Sequence, residues 1–194
     1  MKLSPVREEF FHYPTLEMAQ RLLGHILVKE TNEGVAAGKI VETEAYQGPD
    51  DRAAHSFGNR RTKRTEVMFG PPGYVYTYEM HTHCLVNVVC EKPGIPQAVL
   101  IRGVEPVEGI ELMYKRRGDK KERDLTSGPG KLTKALGIVK ADYGRAFFER
   151  PLYIAQGTAP SNISSGPRIG IGNAGEAKDY PWRFWETGNS YVSK

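Results

Sequence analysis

Between residues 42 and 55 the chain gathers side chains able to activate water or to oppose a developing positive charge: Glu42, Glu44, Tyr46 and His55. Glu42, Glu44 and Tyr46 recur at a spacing of two, so on a regular strand they share one face. Two carboxylates and a phenol on one face are atypical of plain core. Periodicity alone also fits a solvated sheet edge. The sequence that follows changes the balance. A Gly48-Pro49 turn is succeeded by an acidic pair, Asp50 and Asp51, and by a short segment ending at His55. That loop carries a histidine, and a basic run just beyond it, back towards the end of the same strand.

The basic run Asn59-Arg60-Arg61-Thr62-Lys63-Arg64 holds four cations in six residues. Such runs are usually solvated faces, but this one lies in a loop where a ligand would approach the carboxylate strand. Further on, Tyr74, Tyr76 and Tyr78 alternate on a strand-like stretch, as half-buried packing or as a stacking platform beside a polar tip. Asn87 interrupts an apolar run and must find partners there. Arg102 interrupts another and is expected to pair or to bind something. Lys131 sits in Ser127-Gly128-Pro129-Gly130-Lys131-Leu132, a helix start whose backbone N–H groups suit a phosphate. His81, His83 and Cys84 lack the paired spacing of zinc motifs, so no metal and no cofactor is expected.

The elements that must position these residues follow from pattern. Pro14 suits a helix start, Leu16, Ala19, Leu22 and Leu23 keep helical spacing, and Gly24 fits the stop. Strands are expected over 25–30 and 35–46, joined by a turn at 31–34. Residues 47–73 read as a long polar loop. Residues 74–78 and 83–90 form a hairpin joined around 79–82. A strand over 97–104 precedes an amphipathic helix over 107–117, whose terminal Lys115, Arg116 and Arg117 suit its negative end. A helix begins near Pro129, short strands are expected at 152–155 and 168–171, and Pro181-Trp182-Arg183-Phe184-Trp185 closes the chain. The expected fold class is α+β: one compact domain over 1–194, with a largely antiparallel curved sheet, peripheral helices and a protruding β-hairpin.

The 194 residues suffice for one sizeable core. The net charge of +4 permits a polyanionic partner without requiring one. The two cysteines, Cys84 and Cys90, are spaced along one strand so as not to form a normal disulfide. There is no apolar run of membrane-spanning length and no signal-peptide pattern, so a cytoplasmic protein is expected, nucleoid-associated if bacterial.

The run Ile40-Val41-Glu42-Thr43-Glu44-Ala45-Tyr46 with Ala53-Ala54-His55-Ser56 resembles the alkyladenine DNA glycosylase family, the 3-methyladenine glycosylases of animal and bacterial type. So do Tyr74-Val75-Tyr76, Asn87-Val88-Val89, the run from Leu100 to Pro106, the run from Ser127 to Leu132, and Arg168-Ile169-Gly170-Ile171-Gly172. The matches keep their order and span almost the whole chain. The resemblance implies an enzyme that flips an alkylated or deaminated purine out of duplex DNA and hydrolyses its N-glycosidic bond. It places the catalytic carboxylate on Glu44, base-stacking aromatics on Tyr46 and Tyr76, an opposing histidine on His55, a pocket asparagine on Asn87 and an arginine near the flipped nucleotide on Arg102. The expected partner is double-stranded DNA containing damaged purines, bound by a monomer, with Arg60, Arg61 and Lys131 on phosphates.

One departure bears on the tip of the hairpin. The family's Tyr-Gly-Met tip, whose tyrosine wedges into the duplex, is replaced by Thr77-Tyr78-Glu79-Met80-His81-Thr82-His83, one residue longer and without glycine. Local matching puts the wedge at Tyr78; counting back from Asn87 puts it at Met80, which preserves the register of the return strand. Two rivals stand beside the glycosylase. A noncatalytic nucleic-acid-binding module would stack bases on the tyrosines, but carboxylates on a phosphate-facing surface would repel its ligand. A metal-dependent hydrolase would use Glu42, Glu44, Asp50, Asp51 and His55.

Overall fold

The computed structural model describes residues 3–193. Two strands, β1 (Ile26–Thr31) and β2 (Gly34–Tyr46), form a hairpin with Thr31 opposite Gly34. β2 outruns its partner. Its first half pairs with β1, most of its length with β5 (Gln97–Glu108), and residues 42–44 with β8 (Arg183–Glu186). The other strands are β3 (Val75–Met80), β4 (His83–Cys90), β6 (Leu152–Ala155) and β7 (Ile163–Gly166). The eight strands make one sheet in the order β3-β4-β5-β2-β1-β6, with β8 joining β2 to β7, and every pairing is antiparallel. With helices α1 (Thr15–Arg21), α2 (Ile110–Arg117) and α3 (Pro129–Leu136), the fold is α+β.

The helices form where the chain can stop them cleanly. Pro14 caps α1, and Gly24, at φ +86°, ends that segment where any Cβ would strike the Thr158 carbonyl. α3 begins with a proline at its first position, and Gly137 closes it in the left-handed region. Met18, Leu22, Leu23, Leu132 and Leu136 are fully buried in the main core. Each such side chain contributes about 1.5–3 kcal/mol over exposure.

The structure moves several expected boundaries. β5 continues to Glu108 because its ladder with β2 runs on to Ala37, so α2 starts at Ile110 and not at 107. The strand expected at 168–171 is absent. Gly170 takes φ +78°, and Arg168 is buried among side-chain partners rather than in a ladder. The strand in that part of the chain is β7, which the sequence reading did not anticipate. The connection of the β3–β4 hairpin is only His81-Thr82, at φ +47° and +71°. This matches the twist that favours two-residue turns, but histidine and threonine occupy left-handed positions that glycine or asparagine usually take. Both cysteines are free thiols. Among the described residues no helix is long and apolar enough to cross a membrane.

Candidate active site

The second half of β2 carries the centre of the site. Thr43 turns towards α1 and donates its hydroxyl to the Ala19 carbonyl at 2.7 Å. Alternation therefore sends Glu42 and Glu44 to the opposite face, where chain from beyond residue 167 crosses over them and leaves both carboxylates without exposure. Opposite them the β2–β5 register slips twice, and Arg102 is left without a Cα partner between Gly103 and Ile101. Such a bulge re-aims a side chain. The Arg102 guanidinium lies 3.4 Å from Glu42 and 3.4 Å from Glu44.

The two carboxylates are held differently. Glu42 accepts from Arg183 Nε at 2.7 Å, from the Ser193 backbone N–H at 2.7 Å and from the Ser193 hydroxyl at 2.9 Å. With Arg102 added, it is saturated by structural partners. Glu44 accepts one bond on each oxygen: Ile169 N–H at 2.7 Å on Oε1 and the Tyr46 hydroxyl at 2.8 Å on Oε2. Each oxygen keeps a further lone pair. Burial raises the Glu44 carboxyl above its ordinary pKa, and Arg102 pulls back against it. Burial and the neighbouring Glu44 together keep the Tyr46 phenol protonated, its pKa well above the ordinary value.

Beside Glu44 opens a cavity of about 550 Å³. Tyr46, His55, Tyr76, Asn87 and Arg102 all line it, together with Tyr78, Met80 and Ile169. The walls come from the end of β2, the loop behind it, the β3–β4 hairpin, β5, the start of α3 and residues 169–174. His55 Nδ1 lies 2.7 Å from the Tyr76 hydroxyl, and its ring stands edge-on to Tyr78 at 4.6 Å. Burial lowers the His55 pKa to about 4, with the charge of Arg64 adding to the effect, so the imidazole is neutral at neutral pH. Burial drives the Tyr76 phenol up and pushes Tyr78 up to about 12. Asn87 stands opposite Tyr76 in the ladder and donates Nδ2 to its carbonyl at 3.0 Å. Three neutral aromatic rings and a neutral imidazole form a surface suited to a planar cation.

Tyr78 and Met80, the two candidates at the hairpin tip, occupy different places. Tyr78 is half-buried in the wall beside His55, whereas Met80 is 47% exposed at the last position of β3. The basic residues also separate. Arg60 is exposed. Arg61 is exposed but bound through two nitrogens to Glu66, at 2.6 and 3.0 Å. Lys131 lies 3.6 Å from Asp124 and lines a second cavity, of about 480 Å³, that shares Arg102 and Pro129 with the first.

The sequence reading missed three participants: Ile169, which reaches Glu44 through its backbone N–H, and the buried pair Arg168–Asp51. A backbone donor leaves no residue-type signal, and Arg168 was marked only as part of a motif. Asp51 is paired with Arg168 and accepts backbone N–H bonds from Gln47 and Ala53, which shapes the turn ahead of His55. Among the described residues no three His, Cys, Asp or Glu side chains are grouped to hold a metal ion.

Comparison with known proteins identifies the family. The family model described as methylpurine-DNA glycosylase matches residues 9–190. A relative from Bacillus licheniformis, named "Putative 3-methyladenine DNA glycosylase", is 64% identical over 190 residues, covering 98% of this chain and 97% of the relative. Relatives of the same name from Bacillus subtilis and Listeria monocytogenes are 62% identical over 191 residues and 47% identical over 190. The first covers 98% of this chain and 97% of itself, the second 97% and 92%.

Proposed function

The chain belongs to the methylpurine-DNA glycosylase family, and from that premise we propose that Glu44 activates the water that cuts the N-glycosidic bond of a damaged purine held in the cavity. The protein is a base-excision repair DNA glycosylase, a monofunctional hydrolase that acts on DNA. The observation that carries the mechanism is the placement of Glu44: buried, hydrogen-bonded on both oxygens, and directly behind an aromatic cavity.

The base must leave the stack before its glycosidic bond can be reached. A purine alkylated on a ring nitrogen is a cation, and stacking between Tyr46, Tyr76 and His55 favours it by up to about 2 kcal/mol when desolvated. The neutral imidazole of His55 adds no repulsion. The positive charge also makes the base a good leaving group, so the acid side of catalysis asks little of the protein. The remaining work is to take a proton from water and to oppose the oxocarbenium character of the sugar. One ionised carboxylate does both. The remaining amide hydrogen and carbonyl of Asn87 screen the edge of the base, and Arg102 orders the nucleotide beside Glu44. Met80, exposed and apolar at the hairpin tip, fills the gap left in the helix. Arg60, Arg61 and Lys131 contact phosphates. The ligand is duplex DNA carrying alkylated or deaminated purines, and the whole chain acts as one domain, as a monomer, in the cytoplasm.

The test is direct. Wild-type protein and Glu44→Gln are incubated with duplexes bearing 3-methyladenine, 7-methylguanine, hypoxanthine or ethenoadenine, with EDTA present, and abasic sites are revealed by alkali. Wild type should cut at least one of them, and Glu44→Gln should bind but not cut. Excision by Glu44→Gln at near the wild-type rate would remove Glu44 from the mechanism, and loss of wild-type activity in EDTA would favour a metal-dependent hydrolase.

A further inference from the structure

Arg168 is the most heavily engaged side chain near the site, and the mechanism above gives it no role. Its side chain is fully buried with that of Asp51, and the two form a paired contact at 2.5 and 2.8 Å. Nη1 also donates to the Ala45 carbonyl at 2.8 Å and Nη2 to the Ala177 carbonyl at 3.1 Å. The guanidinium lies over the Tyr46 ring at 4.7 Å and over Trp182 at 5.0 Å. One side chain thus joins the end of β2, the turn ahead of His55 and the helical turn at Gly175–Asp179. The very next residue supplies the N–H that binds Glu44 Oε1.

A buried ion pair is weak evidence for a stabilising role, because apolar replacements of similar volume are often as stable. What the pair does achieve is geometry. Four hydrogen bonds and two aromatic rings fix the guanidinium plane, and with it the peptide that follows. Arginine is suited to this and lysine is not, since the four bonds, two of them to one carboxylate, exceed the three donors of an ammonium.

We propose that Arg168 is a positioning residue for the hydrolysis: anchored by Asp51, it holds the Ile169 N–H on Glu44 and backs the Tyr46 ring against which the base stacks. This rests on the reading of Glu44 as the base. The Ile169 hydrogen bond favours the ionised carboxylate, which is the form that accepts a proton from water. The other groups facing Glu44 are Arg102 from β5, Glu42 and Tyr46 from β2, and Tyr78 from β3. Of these only Tyr46 touches Arg168, and loosening its bond or that of Ile169 would leave Glu44 protonated to a higher pH.

Arg168→Lys and Asp51→Asn are compared with Glu44→Gln and with Lys29→Gln. The last breaks another buried pair, Lys29–Asp142, whose residues lie outside the cavity. Single-turnover excision is followed across pH, with lesion-duplex affinity and thermal melting measured alongside. Arg168→Lys should slow excision by about tenfold to a hundredfold with little change in affinity, and should move the acid limb of the rate profile up by about one pH unit. Asp51→Asn should do the same more weakly, and it carries the test alone if Arg168→Lys does not fold. Lys29→Gln should melt lower yet keep the wild-type limb. If Glu44→Gln is inactive while both pair variants keep the wild-type limb, the proposal fails and the Glu44 reading stands. If Glu44→Gln is active, the Glu44 reading itself is overturned.

Discussion

Met80 lines the cavity at 47% exposure, whereas Glu44 lies wholly buried behind the wall that Tyr46, Arg102 and Ile169 make. Both oxygens of Glu44 have partners, and the donors come from separate parts of the chain: Tyr46, Arg102 and Ile169. Around Met80 the backbone turns through two residues at positive φ, and the side chains from Glu79 to His83 are exposed. The floor is built so that nothing reorganises when charge develops, which is where electrostatic preorganisation is worth most. The rim is built to be resolvated and reused at every encounter with DNA. Substitutions in the floor should therefore change rate, and substitutions in the rim should change binding.

The sharpest test of that division lies inside the floor. Glu44→Gln removes the proton acceptor and the negative charge, and should lose excision by 10²–10⁴-fold, about 3 to 5 kcal/mol of barrier. Glu42→Gln, two residues away, disturbs a carboxylate saturated by Arg183, Ser193 and Arg102. It should lower stability by about 3 to 5 kcal/mol, because it leaves buried cations short of a partner, while excision falls far less than in Glu44→Gln. A melting curve and a single-turnover rate on each variant suffice. If Glu42→Gln is the inactive variant, the assignment of roles is reversed. The pH profile belongs to the same test. Glu44 is raised above the ordinary carboxylate range and must be ionised to act, so the rate should fall on the acid side through that raised pKa. His55 adds nothing to the limb until about pH 4.

Asn87 stands at the junction of floor and wall. Asn87→Ser replaces the amide with a hydroxyl of shorter reach to the base, so discrimination against undamaged guanine should relax by about tenfold, or 1.4 kcal/mol. Unchanged relative rates on damaged and normal purines would remove Asn87 from base discrimination. At the rim, Met80→Ala should weaken binding to abasic duplex more than Tyr78→Ala does, whereas Tyr78→Ala should act on excision through the wall beside His55. The reverse order would return the wedge to Tyr78. The smallest effect is expected from the basic loop. Arg60→Ala should flatten the salt dependence of DNA binding by about one unit of slope. Arg61→Ala should flatten it less, because Glu66 already neutralises that side chain.

Much of the wall was legible in the sequence because its residues announce themselves by type. Asn87 and Arg102 break the apolar runs that carry them, Tyr76 alternates with Tyr74 and Tyr78, and period-two spacing put Glu42, Glu44 and Tyr46 on one face. The hairpins were legible for the same reason. What sequence reasoning could not reach was the cover over that face. Residues 168–171 read as a strand because Ile169 and Ile171 fall at a spacing of two. The structure instead buries Arg168 against a loop 117 residues earlier in the chain, a pairing no local pattern encodes. The double slip of register that aims Arg102 was equally hidden, since a bulge depends on both strands of a pair. Nor does residue type distinguish Arg60 from Arg61; only the placement of Glu66 does.

The cover also has a consequence in time. Glu44 meets Ile169 across 125 residues of chain, and Glu42 meets Ser193 across 151. At about 5–20 residues per second, β2 is synthesised roughly 6 to 25 seconds before the amide that completes its carboxylate. Through that interval two acids destined for full burial stand hydrated on an unfinished sheet. Closing so long a loop late is entropically slow. Excision competence should therefore be the last property a refolding chain acquires, lagging the recovery of its sheet signal in circular dichroism.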